Sequence, residues 1–202
     1  MNKGTVFIIS GPSGSGKDTI LKEVLKKRTD IYFSISSITR DMREGEVEGE
    51  KYHFISRKEF EEGLANEAFL EYNKYLENYY GTPKAPIEEN LALGNDVLIE
   101  CDVNGAAKKK KKMPEVVSVF IMPPSFEVLK KRLSGRGTES AEQIEGRLNA
   151  ALNEIARANE YDYIVVNDAL ETAVSDFLLV MKSQRFKLNN QKQLINEVLK
   201  NA

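Results

Sequence analysis

Near the N-terminus, Gly11-Pro12-Ser13-Gly14-Ser15-Gly16-Lys17 has the composition and spacing of a loop that wraps phosphate oxygens. Its glycines let successive backbone N–H groups turn inward, where side chains would obstruct them. The helix expected to follow, Asp18 to Lys27, adds its positive N-terminal end. Lys17 supplies a point charge for β- and γ-phosphates. The next residue is Asp18, where the motif carries a Ser or Thr that touches Mg²⁺. Thr19 follows one step later, about 100° around the helix. The loop points to a nucleoside triphosphate without saying which reaction uses it.

A second constellation begins at Ser34-Ile35-Ser36-Ser37-Ile38-Thr39-Arg40-Asp41-Met42-Arg43, two arginines three apart beside hydroxyls. Arginine's planar fork holds phosphate bidentately. A surface position for Arg40 and Arg43 is the weaker reading, because a glycine-bearing charged turn, Gly45 to Lys51, follows them. Tyr52-His53-Phe54, Phe69-Leu70-Glu71 and Asn78-Tyr79-Tyr80-Gly81-Thr82 come next.

In this order and spacing these segments resemble guanylate kinases. The resemblance continues through residues 99–105, Pro123-Pro124-Ser125, residues 132–137, Arg147-Leu148 and residues 164–168, reaching about Arg185. It implies transfer of the γ-phosphate of ATP to GMP, giving ADP and GDP, with Mg²⁺, in guanine nucleotide metabolism. By resemblance, ATP is bound by Gly11, Pro12, Ser13, Gly14, Ser15, Gly16, Lys17, Asp18, Thr19, Arg132, Arg136, Asn167 and Asp168. Arg40 and Arg43, with the hydroxyls of Tyr52 and Tyr80, would grip the GMP phosphate. Ser36, Glu71, Thr82 and Asp102 match positions that read guanine. Guanine offers N1–H and a 2-amino group as adjacent donors, and a carboxylate accepts both; adenine would leave it unpaired. Lys17, Arg43, Arg136 and Arg147 are the expected catalytic group, neutralising charge as the phosphoryl moves. Asp18 and Glu100 are the expected, indirect, contacts of the metal; Glu100 is a glutamate where aspartate is usual in the family. No general base is required, since a GMP phosphate oxygen is already anionic at neutral pH.

Two other readings compete. A kinase of the same architecture acting on another phosphorylated acceptor leaves Glu71 and Asp102 without a purpose. A guanylate-kinase-like scaffold domain that binds phosphopeptides typically has a degraded P-loop, whereas Gly11, Gly16, Lys17 and the arginines are intact.

The elements that must position these residues follow from periodicity. Val6 to Ile9, Val97 to Ile99, Val116 to Met122 and Tyr163 to Val166 are short, β-branched apolar runs, the pattern of strands buried on both faces. Helical spacing between them, at Asp18 to Lys27, Pro124 to Leu133, Ala141 to Ala158 and Leu170 to Met181, predicts an α/β fold with a doubly wound parallel sheet. Residues 1–202 read as a single domain: a core of 1–33 and 97–202, an inserted small α+β acceptor lobe at 34–96, and a short mobile lid at 134–146. Gln184 to Lys200 has helical spacing and is expected to pack on the core.

Composition agrees with a soluble protein: 41% apolar, 30% charged, net charge −2. That balance gives no field drawing it to nucleic acid or a membrane. No apolar run approaches the ~20 residues of a membrane span. Cys101 is the sole cysteine, which suits a reducing compartment, and a cytoplasmic location is expected. His53 and Cys101 read as structural, Cys101 lying within a buried strand between two carboxylates, and the run Lys108 to Lys112 reads as a solvated helix face.

Overall fold

The structure is a computed structural model describing residues 3–135 and 140–200. In chain order its elements are β1 (Val6–Ser10), α1 (Lys17–Lys27), β2 (Ile31–Ser34), β3 (Ser36–Ile38), β4 (Tyr52–Phe54), α2 (Arg57–Ala65), β5 (Phe69–Tyr75), β6 (Asn78–Pro83), α3 (Ala85–Ala92), β7 (Asp96–Glu100), α4 (Val103–Lys112), β8 (Val117–Met122), α5 (Phe126–Ser134), α6 (Ala141–Ile155), β9 (Tyr163–Val166), α7 (Leu170–Gln184) and α8 (Leu188–Lys200). The apolar runs become a five-stranded parallel sheet of order β2-β7-β1-β8-β9. Every residue of β1 is buried, as a central strand flanked by helices requires. A second sheet of four strands has the order β4-β3-β6-β5.

The chain divides into two compact units: Met1–Lys3, Ile9–Thr29 and Val117–Ala202; and Gly4–Ile8 with Asp30–Val116. In the first unit, α5 and α6 pack through Leu129, Leu133, Leu148 and Ala151. Helix α6 starts at a capping box: Ser140 Oγ accepts from Gln143 N, and Gln143 Oε1 accepts from Ser140 N. In the second unit, Phe60 of α2 is fully buried and stacks on Phe69 and Tyr79, with centroids 4.3 and 5.1 Å away. Gly81 makes that packing possible, since a Cβ there would lie 2.8 Å from both the Phe60 and Phe69 rings.

Four expectations need correction. The main sheet has a fifth strand, β2; its half-buried edge position leaves Ile31–Ser34 without the continuous apolar run of a central strand. Cys101 lies just after β7, half-buried, and not within the strand. Helix α8 forms as the spacing predicts but does not pack on the core: Leu188, Leu194, Ile195, Val198 and Leu199 are all exposed. The lysine run of α4 is not simply a solvated face, because Lys109 is buried. Among the described residues, no helix is long and apolar enough to cross a membrane.

Candidate functional site

The loop between β1 and α1 is shaped by two left-handed glycines, Gly14 at φ 86° and Gly16 at φ 83°. Ser15 N donates to Pro12 O at 3.0 Å, closing the turn. The close fit extends beyond the loop. A Cβ on Gly11 would lie 2.5 Å from Ile121 O, and one on Gly16 would lie 2.3 Å from Asn167 Nδ2. Pro12 and Ser15 are buried, while Ser13, Asp18 and Thr19 are exposed.

Late parts of the chain hold this loop from behind. Asn167, directly after β9, donates through Nδ2 to Ser15 O at 2.7 Å. Arg132 of α5 bonds Asn167 O at 2.9 Å and reaches Ser15 O at 3.4 Å. Arg147 of α6 donates to Ser13 Oγ at 2.6 Å. Thus the structure gathers Lys17, Arg132, Arg147 and Asn167 at the loop. Asp168 follows Asn167 at an exposed position. Arg136 lies outside the described residues, as do Gly137, Thr138 and Glu139 within the expected lid.

Lys17 Nζ stands 3.6 Å from Asp18 Oδ1, the aspartate being well exposed. Among the described residues, no group of three or more His, Cys, Asp or Glu side chains forms a ready metal cage. Mg²⁺ does not need one, because it takes oxygen ligands, keeps waters and leans on nucleotide phosphates. The hard carboxylate oxygen of Asp18, exposed beside Lys17, fits that chemistry.

In the second unit, strand register decides which side chains meet. Residues in register share a face, and side chains alternate along each strand. Ser36 pairs with Tyr52, Ile38 with Tyr80, Glu71 with Thr82 and Asn73 with Tyr80. Ser36, Tyr52, Glu71, Tyr80 and Thr82 therefore line one face of the four-stranded sheet. The other face, at Tyr72 and Gly81, is the one that Phe60 covers.

One end of that face is cationic. Arg40 grips Glu46 with both terminal nitrogens, Nη1 donating to Oε2 at 2.6 Å and Nη2 to Oε1 at 2.5 Å. Its guanidinium lies over Tyr52 and Phe54, 5.6 and 5.4 Å from the ring centroids. Arg43 N donates to Glu46 Oε2 at 2.8 Å, and Arg43 itself is exposed. The Arg40 hydrogen bonds, with the Arg43 amide, hold the Glu46 carboxyl down at about 2. Burial pushes the Tyr52 hydroxyl above its ordinary value, with the neighbouring Tyr80 and the carboxylates of Glu100 and Glu46 adding to the effect and Arg40 opposing it. Tyr52 thus stays a donor at neutral pH.

The other end is a buried carboxylate. Glu71, 9% exposed, accepts from Thr82 Oγ1 at 3.0 Å and from Lys109 Nζ at 2.7 Å. Asp102 caps α4, its Oδ1 accepting from Gly105 N at 2.6 Å. Glu100 ends β7, half-buried. Sequence reasoning missed Glu46 and Lys109. A carboxylate six residues after Arg40 was visible but unremarkable in a charged turn; Lys109 gave no signal, because only α4's placement against β5 distinguishes it from its neighbours.

A triphosphate loop together with a sheet face that pairs a cationic end with a buried carboxylate suits a phosphorylated acceptor bearing hydrogen-bond donors. The family model described as guanylate kinase matches residues 3–184. The chain belongs to the guanylate kinase family. Among curated guanylate kinases it is 48% identical over 187 residues to that of Carboxydothermus hydrogenoformans, covering 93% of this chain and 92% of the relative. Against that of Neisseria gonorrhoeae it is 46% identical over 200 residues, 99% of this chain and 98% of the relative. The crystal structure of guanylate kinase from Anaplasma phagocytophilum matches with a TM-score of 0.72 at 31% identity, covering 93% of this chain and 89% of that one. Family membership and the geometry agree on an α/β P-loop architecture.

Proposed function

We propose that the guanylate kinase activity of this chain, ATP + GMP giving ADP + GDP, runs through the two groups of residues described above. The observation that carries the residue assignment is the shared face of Ser36, Tyr52, Glu71, Tyr80 and Thr82, cationic at one end and carboxylate at the other.

On this reading the backbone N–H groups of Ser13, Gly14 and Gly16 and the N-terminus of α1 cradle the ATP phosphates, and Lys17 neutralises the β- and γ-oxygens. Arg147 meets the γ-phosphoryl, and Arg136 is given the same part on the resemblance alone; Arg132 and Asn167 hold the loop in shape, with Asp168 assigned to the adenine side. GMP enters the acceptor lobe, residues 34–96, with its phosphate between Arg40, Arg43, Tyr52 and Tyr80. Glu46 aims Arg40 for that grip. Glu71, Thr82, Ser36 and Asp102 take the base, Glu71 accepting from N1–H and the 2-amino group.

The attacking GMP oxygen is already anionic, so the protein's part is positioning and charge stabilisation. Arginines and Lys17 meet the charge that spreads over the transferring oxygens. Exclusion of the water that would compete for the phosphoryl group completes the reading. Asp18 would hold the Mg²⁺ that arrives with ATP, with Glu100 as an indirect contact; the ion would offset phosphate charge when bound. The setting is the cytoplasm, where ATP and GMP are both at hand.

The test is an ADP-release assay with Mg-ATP and GMP, AMP, CMP or UMP as acceptor. GMP should be turned over at least ~10⁴-fold more efficiently than AMP, the ratio available to a site that hydrogen-bonds its substrate. Comparable turnover of AMP would discard the base assignment.

A further inference from the structure

Helix α4 ends in five consecutive lysines, 108–112. Three of them reach back to β5: Lys108 Nζ to Asn73 Oδ1 at 3.3 Å, Lys109 Nζ to Glu71 Oε1 at 2.7 Å, and Lys112 Nζ to Leu70 O at 2.8 Å. The run is a strap between helix and sheet. Lys109 stands apart within it, because its side chain is 4% exposed and that of its partner Glu71 is 11% exposed. Lysine is almost never buried unless paired, and an ion taken from water carries a desolvation penalty that only close pairing repays.

The two bonds described for Glu71 both fall on the same oxygen. Thr82 and Lys109 donate to Oε1, occupying the two lone pairs a carboxylate oxygen offers. Oε2 is the carboxylate's open edge. A carboxylate on a single-bonded stem turns freely unless something holds it; here one oxygen is pinned from a neighbouring strand and from a helix.

We propose that Lys109 is a positioning and specificity-determining residue for guanine: it locks Glu71 through Oε1 so that Oε2 is presented to the donor edge of the base. The inference rests on the assignment of Glu71 to base reading. It gives the lysine run a function in the reaction although no lysine of the run need touch either substrate. Without Lys109 the carboxylate keeps its chemistry and loses its aim, so the defect falls on GMP affinity and on discrimination against a base lacking the 2-amino group. ATP use is spared.

Lys109→Met, Glu71→Gln and the double variant test this by steady-state kinetics with GMP and with IMP, which keeps N1–H and lacks the 2-amino group. Lys109→Met should raise the KM for GMP at least ~10-fold and shrink the GMP-to-IMP ratio of kcat/KM, while the KM for ATP stays within about 2-fold. In the Glu71→Gln background, adding Lys109→Met should change the KM for GMP by less than about 2-fold, since residues acting through one contact are not additive. If Glu71→Gln impairs GMP use and Lys109→Met does not, Lys109 is only a strap and the inference falls alone. If Glu71→Gln leaves the KM for GMP and the ratio to IMP unchanged, base reading by Glu71 falls, and the inference with it. Should Lys109→Met fail to fold, the double variant, which buries no unpaired charge, still decides: a 10-fold higher KM for GMP than Glu71→Gln alone overturns the proposal.

Discussion

Glu46 shows how a residue given no role by the motif it sits in governs a residue that is given one. Its carboxylate takes both terminal nitrogens of Arg40 and the amide of Arg43, so the end of the sheet face proposed to bind phosphate is already held in shape. The same contacts set a pH dependence. The Glu46 carboxyl lies at about 2 in the folded chain against an ordinary 4.5, so between these values the unfolded chain binds the extra proton. The stabilisation is complete above 4.5 and is lost as pH falls through the folded value. Thermal melts of the wild type and Glu46→Gln should therefore differ most at pH 6 and converge toward pH 2.5. A gap that stays constant across that range would contradict the pairing. At this scale the sequence was legible where residue type and local spacing suffice, as in residues 11–17 and in Arg40 and Arg43. It was silent where a partner comes from another element, as with Lys109, which only its contact with Glu71 separates from Lys110 and Lys111.

Elements were legible in proportion to their burial. Runs such as Val6–Ile9 announce strands because both faces are apolar, whereas β3 to β6 mix polar and aromatic side chains, with Tyr52 and Tyr80 beside Ser36, Glu71 and Thr82 on one face and Tyr72 against Phe60 on the other. That alternation is short, broken by a bulge between Phe69 and Glu71, and read only as mixed segments. Helix α8 errs in the opposite direction: its amphipathic spacing is real, yet Val198 and Leu199 are 61% and 69% exposed. Core packing therefore contributes little at those positions. Leu194→Lys with Val198→Lys should leave Tm within about 3 °C of wild type, since exposed substitutions cost at most ~0.5 kcal/mol each. A fall of 10 °C would show that the helix is covered in solution.

For the whole molecule, the two substrates are assigned to different compact units, which makes their binding separable. Lys17→Ala removes the charge proposed to meet the ATP phosphates, in the compact unit that does not carry the residues proposed for GMP. Its turnover should drop by at least ~10²-fold, the order seen when one charge-stabilising group is lost. ATP should no longer raise its Tm, while GMP at 100-fold its Kd should still stabilise it by about 2.7 kcal/mol. Loss of both shifts would tie the sites together. The P-loop is also separated in time from what shapes it. Ser15 O is held by Asn167, 152 positions later, and Arg132 ties to both. A ribosome adding about 5–20 residues per second needs roughly 8–30 s to travel that distance. The motif is thus made long before it acquires its shape, and until Arg132 and Asn167 have followed it, residues 11–17 are a loop without its clamp.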